Sequence, residues 1–153
     1  MAGDTTRAPL DVHSRPRWLA SVGRPSRPLG GHLPLRRLVP QDLHSLVDYA
    51  GSVALGLGAV LANDARAQHA SVGFMLFGLI ASACTDYRIS LCRVIPIEVH
   101  EVLDLALGVA VMAAPFVLGY VQTSATVAVL HVAGGALLVA EALLTDYRAY
   151  RRR

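Results

Sequence analysis

The chain has no lysine, only two cysteines and few aromatic residues. All 14 of its basic residues are arginine, charged residues make up 16% of 153, and aromatic residues 6%. Cys84 and Cys92 lie eight apart and form no CxxC, too little for a metal or disulfide framework. The sequence carries no phosphate loop, dinucleotide fingerprint or nucleophile–base pairing. Its first forty residues have no apolar run of the kind a cleavable secretory signal needs. Prolines 9, 16, 25, 28 and 34 break the amphipathic helix of an organelle transit peptide. From these absences we expect no enzyme, no cofactor and no resident metal.

What the chain does have is apolar length. Hydrophobic residues make up 54% and the mean hydropathy is +0.46, although the first forty residues are polar. Apolar segments run at about 43–62, 70–84, 102–121 and 125–144. Helices apolar all round belong in a large core or in lipid, and a chain this short builds no core large enough for four of them. Twenty helical residues reach about 30 Å, the thickness of a bilayer's hydrocarbon core. The second segment is short, and spans only if His69 and residues 85–87 count as its ends. Tight connections at 63–68 and 122–124 make antiparallel neighbours. The expected fold is all-α, a bundle of four transmembrane helices.

The chain is also written twice. Arg37, Pro40, His44 and Asp48 recur in register as Arg93, Pro96, His100 and Asp104, and Thr85-Asp86-Tyr87-Arg88 returns as Thr145-Asp146-Tyr147-Arg148. Repeats of this kind take precedence over other readings. They divide the membrane domain, residues 39–148, into repeat one at 37–88 and repeat two at 93–148. Residues 1–38 form an Arg/Pro-rich tail whose composition predicts disorder, and 149–153 form a basic C-terminal tail. An even number of spans puts the tail, the middle connection and the C-terminus on one side. Every arginine except Arg66 falls there, and the positive-inside rule makes that side cytoplasmic. Arginines that flank apolar segments, with little aromatic interleaving, argue against a nucleic-acid partner. Two spans per half make the repeats parallel, related by an axis along the membrane normal. Small residues at every fourth position, Ala50, Ala54 and Gly58 and their counterparts Ala106, Ala110 and Ala114, offer both odd helices a close-packing stripe.

The ionisable groups gather at the cytoplasmic rim. His44 and Asp48 share a helix face, as do His100 and Asp104, each pair being four apart. Glu141, Arg88 and Arg148 emerge at the same level. We expect Asp48 and Asp104 to pair with Arg37, Arg88, Arg93 or Arg148 and pin the helix ends. Pro40 and Pro96 suit helix entrances, where Asp42 and Glu98 then meet the helix dipole. Against this structural reading stands an ion-interacting one, because two His and two carboxylates are a ligand count for a divalent ion. A metal or haem protein needs two histidines facing each other across helices. A proton-coupled or solute transporter needs His131, Glu141 and both Asp residues around one cavity. His131, inside the fourth segment, reads as an interhelical hydrogen-bonding group, and Pro115 as a kink in the third helix.

Three features resemble the SPW-repeat family of small membrane proteins: the string R-x-[VI]-P-x-[DE]-x-H-x-x-x-D, the run Ala114-Pro115-Phe116 with Leu118-Gly119-Tyr120, and the Thr-Asp-Tyr junction. That family carries paired transmembrane helices with Ser-Pro-Trp in the first of each pair. Here Ala and Phe replace Ser and Trp in the second half, and the first half reads Gly58-Ala59-Val60. The resemblance implies a divergent member, a bacterial inner-membrane protein of unestablished activity. The expected role is a non-enzymatic structural or interaction module. Its expected partners are membrane lipid and a second copy or another membrane protein.

Overall fold

The computed structural model describes residues 38–147; the two tails, and with them Arg37 and Arg148, lie outside the described residues. A two-residue strand β1 (Val39–Pro40) leads into helices α1 (Gln41–Leu61), α2 (Ala65–Cys84), α3 (Ile97–Val117) and α4 (Ala125–Leu144), and β2 (Thr145–Asp146) follows. The fold is all-helical, and each of the four helices is long and apolar enough to cross a membrane.

The helix boundaries follow from local chemistry. Pro40 and Pro96 cap α1 and α3 with φ of -64° and -59°, and Asp42 and Glu98 sit in the first turns, where the dipole favours acid. α2 begins at Ala65, earlier than hydropathy places it. Asp64 accepts from the Arg66 backbone N–H at 2.8 Å and from its guanidinium at 2.8 Å. This cap draws residues 65–69, with the polar Arg66, Gln68 and His69, into the helix. α3 begins and ends earlier than its apolar run. Gly119, at φ +71°, takes the left-handed conformation that stops it. Pro115 therefore falls in the last turn, and the helix runs through it to Val117.

α1 packs on α2 and α3 on α4, and the α1–α4 and α2–α3 contacts close the ring. α3 and α4 approach closely at Gly108 and Gly135. A Cβ on Gly108 lies 2.9 Å from the Gly135 carbonyl oxygen, and a Cβ on Gly135 lies 2.5 Å from that of Gly108. The four-residue stripes face elsewhere: Ala50, Ala54, Ala106 and Ala110 are exposed, and only Gly58 and Ala114 are buried.

Two small bridges tie the ends together. Val39 pairs with Thr145 in parallel, and Thr85 pairs with Ile95. Leu38 N–H donates to the Leu144 carbonyl at 2.8 Å, and Val94 N–H to the Cys84 carbonyl at 3.0 Å. The N-termini of α1 and α3 thus share one end of the bundle with the C-termini of α2 and α4.

The polarity of the molecule is inverted. His44, Asp48, His100, Glu101, Asp104, Thr85, Thr145 and His131 are buried, whereas Val60 is 84% and Leu137 70% exposed.

Candidate functional site

At the shared end, α1 and α3 each present a histidine and an aspartate one turn apart to a common centre. His44 Nε2 lies 3.5 Å from Asp48 Oδ2 and 3.2 Å from Asp104 Oδ2. His100 Nε2 lies 3.0 Å and 3.1 Å from the same two oxygens. The imidazoles stand edge to face, 5.8 Å between centroids at 84°. All four residues are buried, and one ligand atom from each falls within 4.8 Å of the others.

The outer faces of both rings are fixed by the repeated Thr-Asp-Tyr. Thr85 Oγ1 donates to the Ala81 carbonyl at 2.6 Å and lies 2.7 Å from His100 Nδ1. Thr145 Oγ1 donates to the Glu141 carbonyl at 2.8 Å and lies 3.2 Å from His44 Nδ1. Each hydroxyl has spent its proton on a carbonyl, so toward histidine it accepts. Nδ1 therefore carries the proton on both rings, and Nε2 faces the centre. Glu141 Oε1, 3.3 Å from His44 Nδ1, adds a second acceptor.

Two phenols close the cluster. Tyr87 donates to Asp48 Oδ2 at 3.2 Å, and the Tyr147 hydroxyl lies 3.3 Å from His44 Nε2. Burial first, and then the Asp48 and Asp104 carboxylates, push both phenols far above their ordinary range, so they remain protonated. Even so, Asp48 Oδ1 and Asp104 Oδ2 are buried with no hydrogen-bond partner among the described residues.

Two of the expected arginine partners, Arg88 and Arg93, are elsewhere, while Arg37 and Arg148 lie outside the described residues. Arg88 lies 3.7 Å from Asp42 and Arg93 3.8 Å from Asp86, all of these side chains at least half exposed. Both arginines sit in the connection after α2, and among the described residues Asp48 meets His44, His100 and Tyr87, and Asp104 meets both histidines. Of the predicted rim, the structure brings together His44, Asp48, His100, Asp104 and Glu141. Sequence reasoning did not assign Thr85, Tyr87, Thr145 and Tyr147 to this site, although their duplication marked them. It also missed Glu101, which is 1% exposed.

A cavity of about 270 Å³ runs from this centre into the bundle. Asp48, Asp104 and Glu141 line one end, and beyond Ser52 and Ser82 the wall is apolar, with Leu55 and Leu107. His131 is not part of it. That residue lies toward the opposite end, where Nδ1 meets the Tyr120 hydroxyl at 2.6 Å and Nε2 meets Ser71 Oγ at 3.1 Å. It joins α2, α4 and the turn after α3, as an interhelical hydrogen-bonding group should.

Comparison with protein-family models, curated proteins and solved structures returned no match to this chain.

Proposed function

We propose that the chain is an integral membrane protein of a bacterial inner membrane, crossing four times with both termini cytoplasmic. In this reading it is no enzyme. It works by binding, through the buried histidine–aspartate end of its bundle. The inverted polarity carries the reading: Leu46, Val60, Leu76, Ile80, Phe116 and Leu137 face outward while His44, His100 and both aspartates are inside. In water so large an apolar exterior is an aggregation liability. In lipid it is the ordinary arrangement, with helices held by close approach at small residues and by polar contacts between them. Glycines 108 and 135, and the hydrogen bond between Ser71 and His131, supply both.

Matched contacts support two parallel repeats. Thr85 with His100 and Thr145 with His44 are the same bond made in opposite directions between halves. The resemblance to SPW-repeat proteins agrees with this duplication. Lipid is the immediate partner, and the exposed Ala50/Ala54 and Ala106/Ala110 stripes suit a second copy or another membrane protein.

The cavity favours a second reading, a small proton-coupled or solute transporter, because three carboxylates line one end of it. The position of His131 outside the cavity and the apolar wall beyond Ser52 weigh against it. Extraction separates the membrane reading from its rivals. The protein stays in the membrane pellet through alkaline carbonate and is released by detergent; release by carbonate alone contradicts the proposal.

A further inference from the structure

We infer that His44, Asp48, His100 and Asp104 form a tetrahedral site for one divalent first-row transition-metal ion of the zinc class. The four contacts between Nε2 and Oδ2 atoms measure 3.0, 3.1, 3.2 and 3.5 Å. Four ligands at zinc distances in tetrahedral geometry stand about 3.3 Å apart. Four of the six edges of that figure are thus close to its length, and the remaining two, between the Nε2 atoms and between the Asp oxygens, lie within 4.8 Å.

Three further observations point the same way. Thr85 and Thr145 hold both Nδ1 atoms as proton donors, which turns the Nε2 lone pairs inward. Outer-shell hydrogen bonds of this kind orient metal-bound histidines. Among the described residues, Asp48 Oδ1 and Asp104 Oδ2 are buried without hydrogen-bond partners, a costly state that a cation relieves. Asp104 Oδ2 is the more telling: it lies within 3.2 Å of both Nε2 atoms, yet neither ring aims a proton at it. Finally, with both imidazoles neutral, Asp48 and Asp104 place two negative charges at this buried centre, with Glu141 beside them, and one divalent ion offsets that pair.

The ligand set also selects the ion. Calcium takes six to eight oxygens and magnesium a hydrated octahedron, whereas two imidazoles with two carboxylates in a closed four-coordinate shell suit zinc or cobalt(II). The rival occupant is a pair of protons, one on each Nε2. That state binds no metal.

This inference deepens the proposed binding role and rests on the shared end being closed off inside the bundle. Its test uses the full chain purified in detergent from membranes that survived carbonate, loaded with Co²⁺ alone and then titrated with Zn²⁺. The expected result is one Co²⁺ per chain, with the intense visible absorption of a tetrahedral site, displaced by Zn²⁺. Asp104→Asn, nearly isosteric, weakens Co²⁺ binding at least 100-fold while helicity is unchanged. Thr85→Val weakens it about 10–100-fold, and Thr85→Ser restores it. His131→Phe, outside the site, leaves binding intact. A helical protein that takes up no Co²⁺, or one whose Co²⁺ spectrum is weak and octahedral or indifferent to Asp104→Asn, overturns the inference. Protein retained in membranes but metal-free sinks this inference alone; protein released by carbonate sinks the membrane reading instead.

Discussion

Thr85 and His100 are joined by a 2.7 Å hydrogen bond between the end of α2 and the first turns of α3, and its direction is fixed by the Ala81 carbonyl. A residue that sequence alone presents as the end of one repeat thus sets the tautomer of a histidine in the other. Thr85→Val keeps the shape and removes the acceptor. Leaving a buried imidazole N–H unpaired costs about 1–3 kcal/mol. The thermal midpoint of the detergent-solubilised protein falls accordingly, and Thr85→Ser recovers most of it. An unchanged midpoint in the valine variant contradicts the assigned geometry.

Two glycines in the bundle behave oppositely. A Cβ on Gly135 meets the Gly108 carbonyl oxygen at 2.5 Å and Met112 N at 2.9 Å, whereas a Cβ on Gly51 meets nothing within 4 Å. Gly135→Ala forces α3 and α4 apart and destabilises by about 1–3 kcal/mol, the usual cost of overpacking. Gly51→Ala stabilises by about 0.5–1 kcal/mol, because it removes backbone freedom from α1. Chemical or thermal unfolding of the two variants side by side checks the contrast; equal effects contradict the α3–α4 packing described above.

His131 contributes through two hydrogen bonds, to Ser71 and Tyr120. Interhelical hydrogen bonds in membrane proteins average about 0.6 kcal/mol, with a maximum near 1.7. His131→Phe therefore lowers stability by about 0.5–2 kcal/mol, and Tyr120→Phe by less. A double-mutant cycle between positions 120 and 131 should return a coupling in that range; a value of zero shows that the pair does not interact.

The sequence made the bundle legible because four apolar segments of near-spanning length, joined by tight connections within each half, mark its helices. Boundaries were less legible where a cap outvoted hydropathy: Asp64 pulls polar residues into α2, and Gly119 stops α3 inside an apolar run. The candidate site was half legible. The spacing of His44 and Asp48, and of His100 and Asp104, placed each pair on one face. Which pair meets which is a tertiary fact. The partners of His44 are Thr145 and Tyr147, 101 and 103 residues away. Arg88 and Arg93 are not the partners of Asp48 and Asp104, because both follow the end of α2 and are at least half exposed, where Asp42 and Asp86 meet them.

Two-sided thiol labelling tests the central arrangement most directly. Cys92 is exposed in the connection between α2 and α3, and Gln122 is exposed in the turn between α3 and α4. In intact cells, a Gln122→Cys variant lacking both native cysteines reacts with a membrane-impermeant maleimide. Cys92, in a Cys84→Ser variant, reacts only after the cells are opened. Labelling of both positions from the same side contradicts a chain that crosses lipid between them, and with it a histidine–aspartate end facing the cell interior.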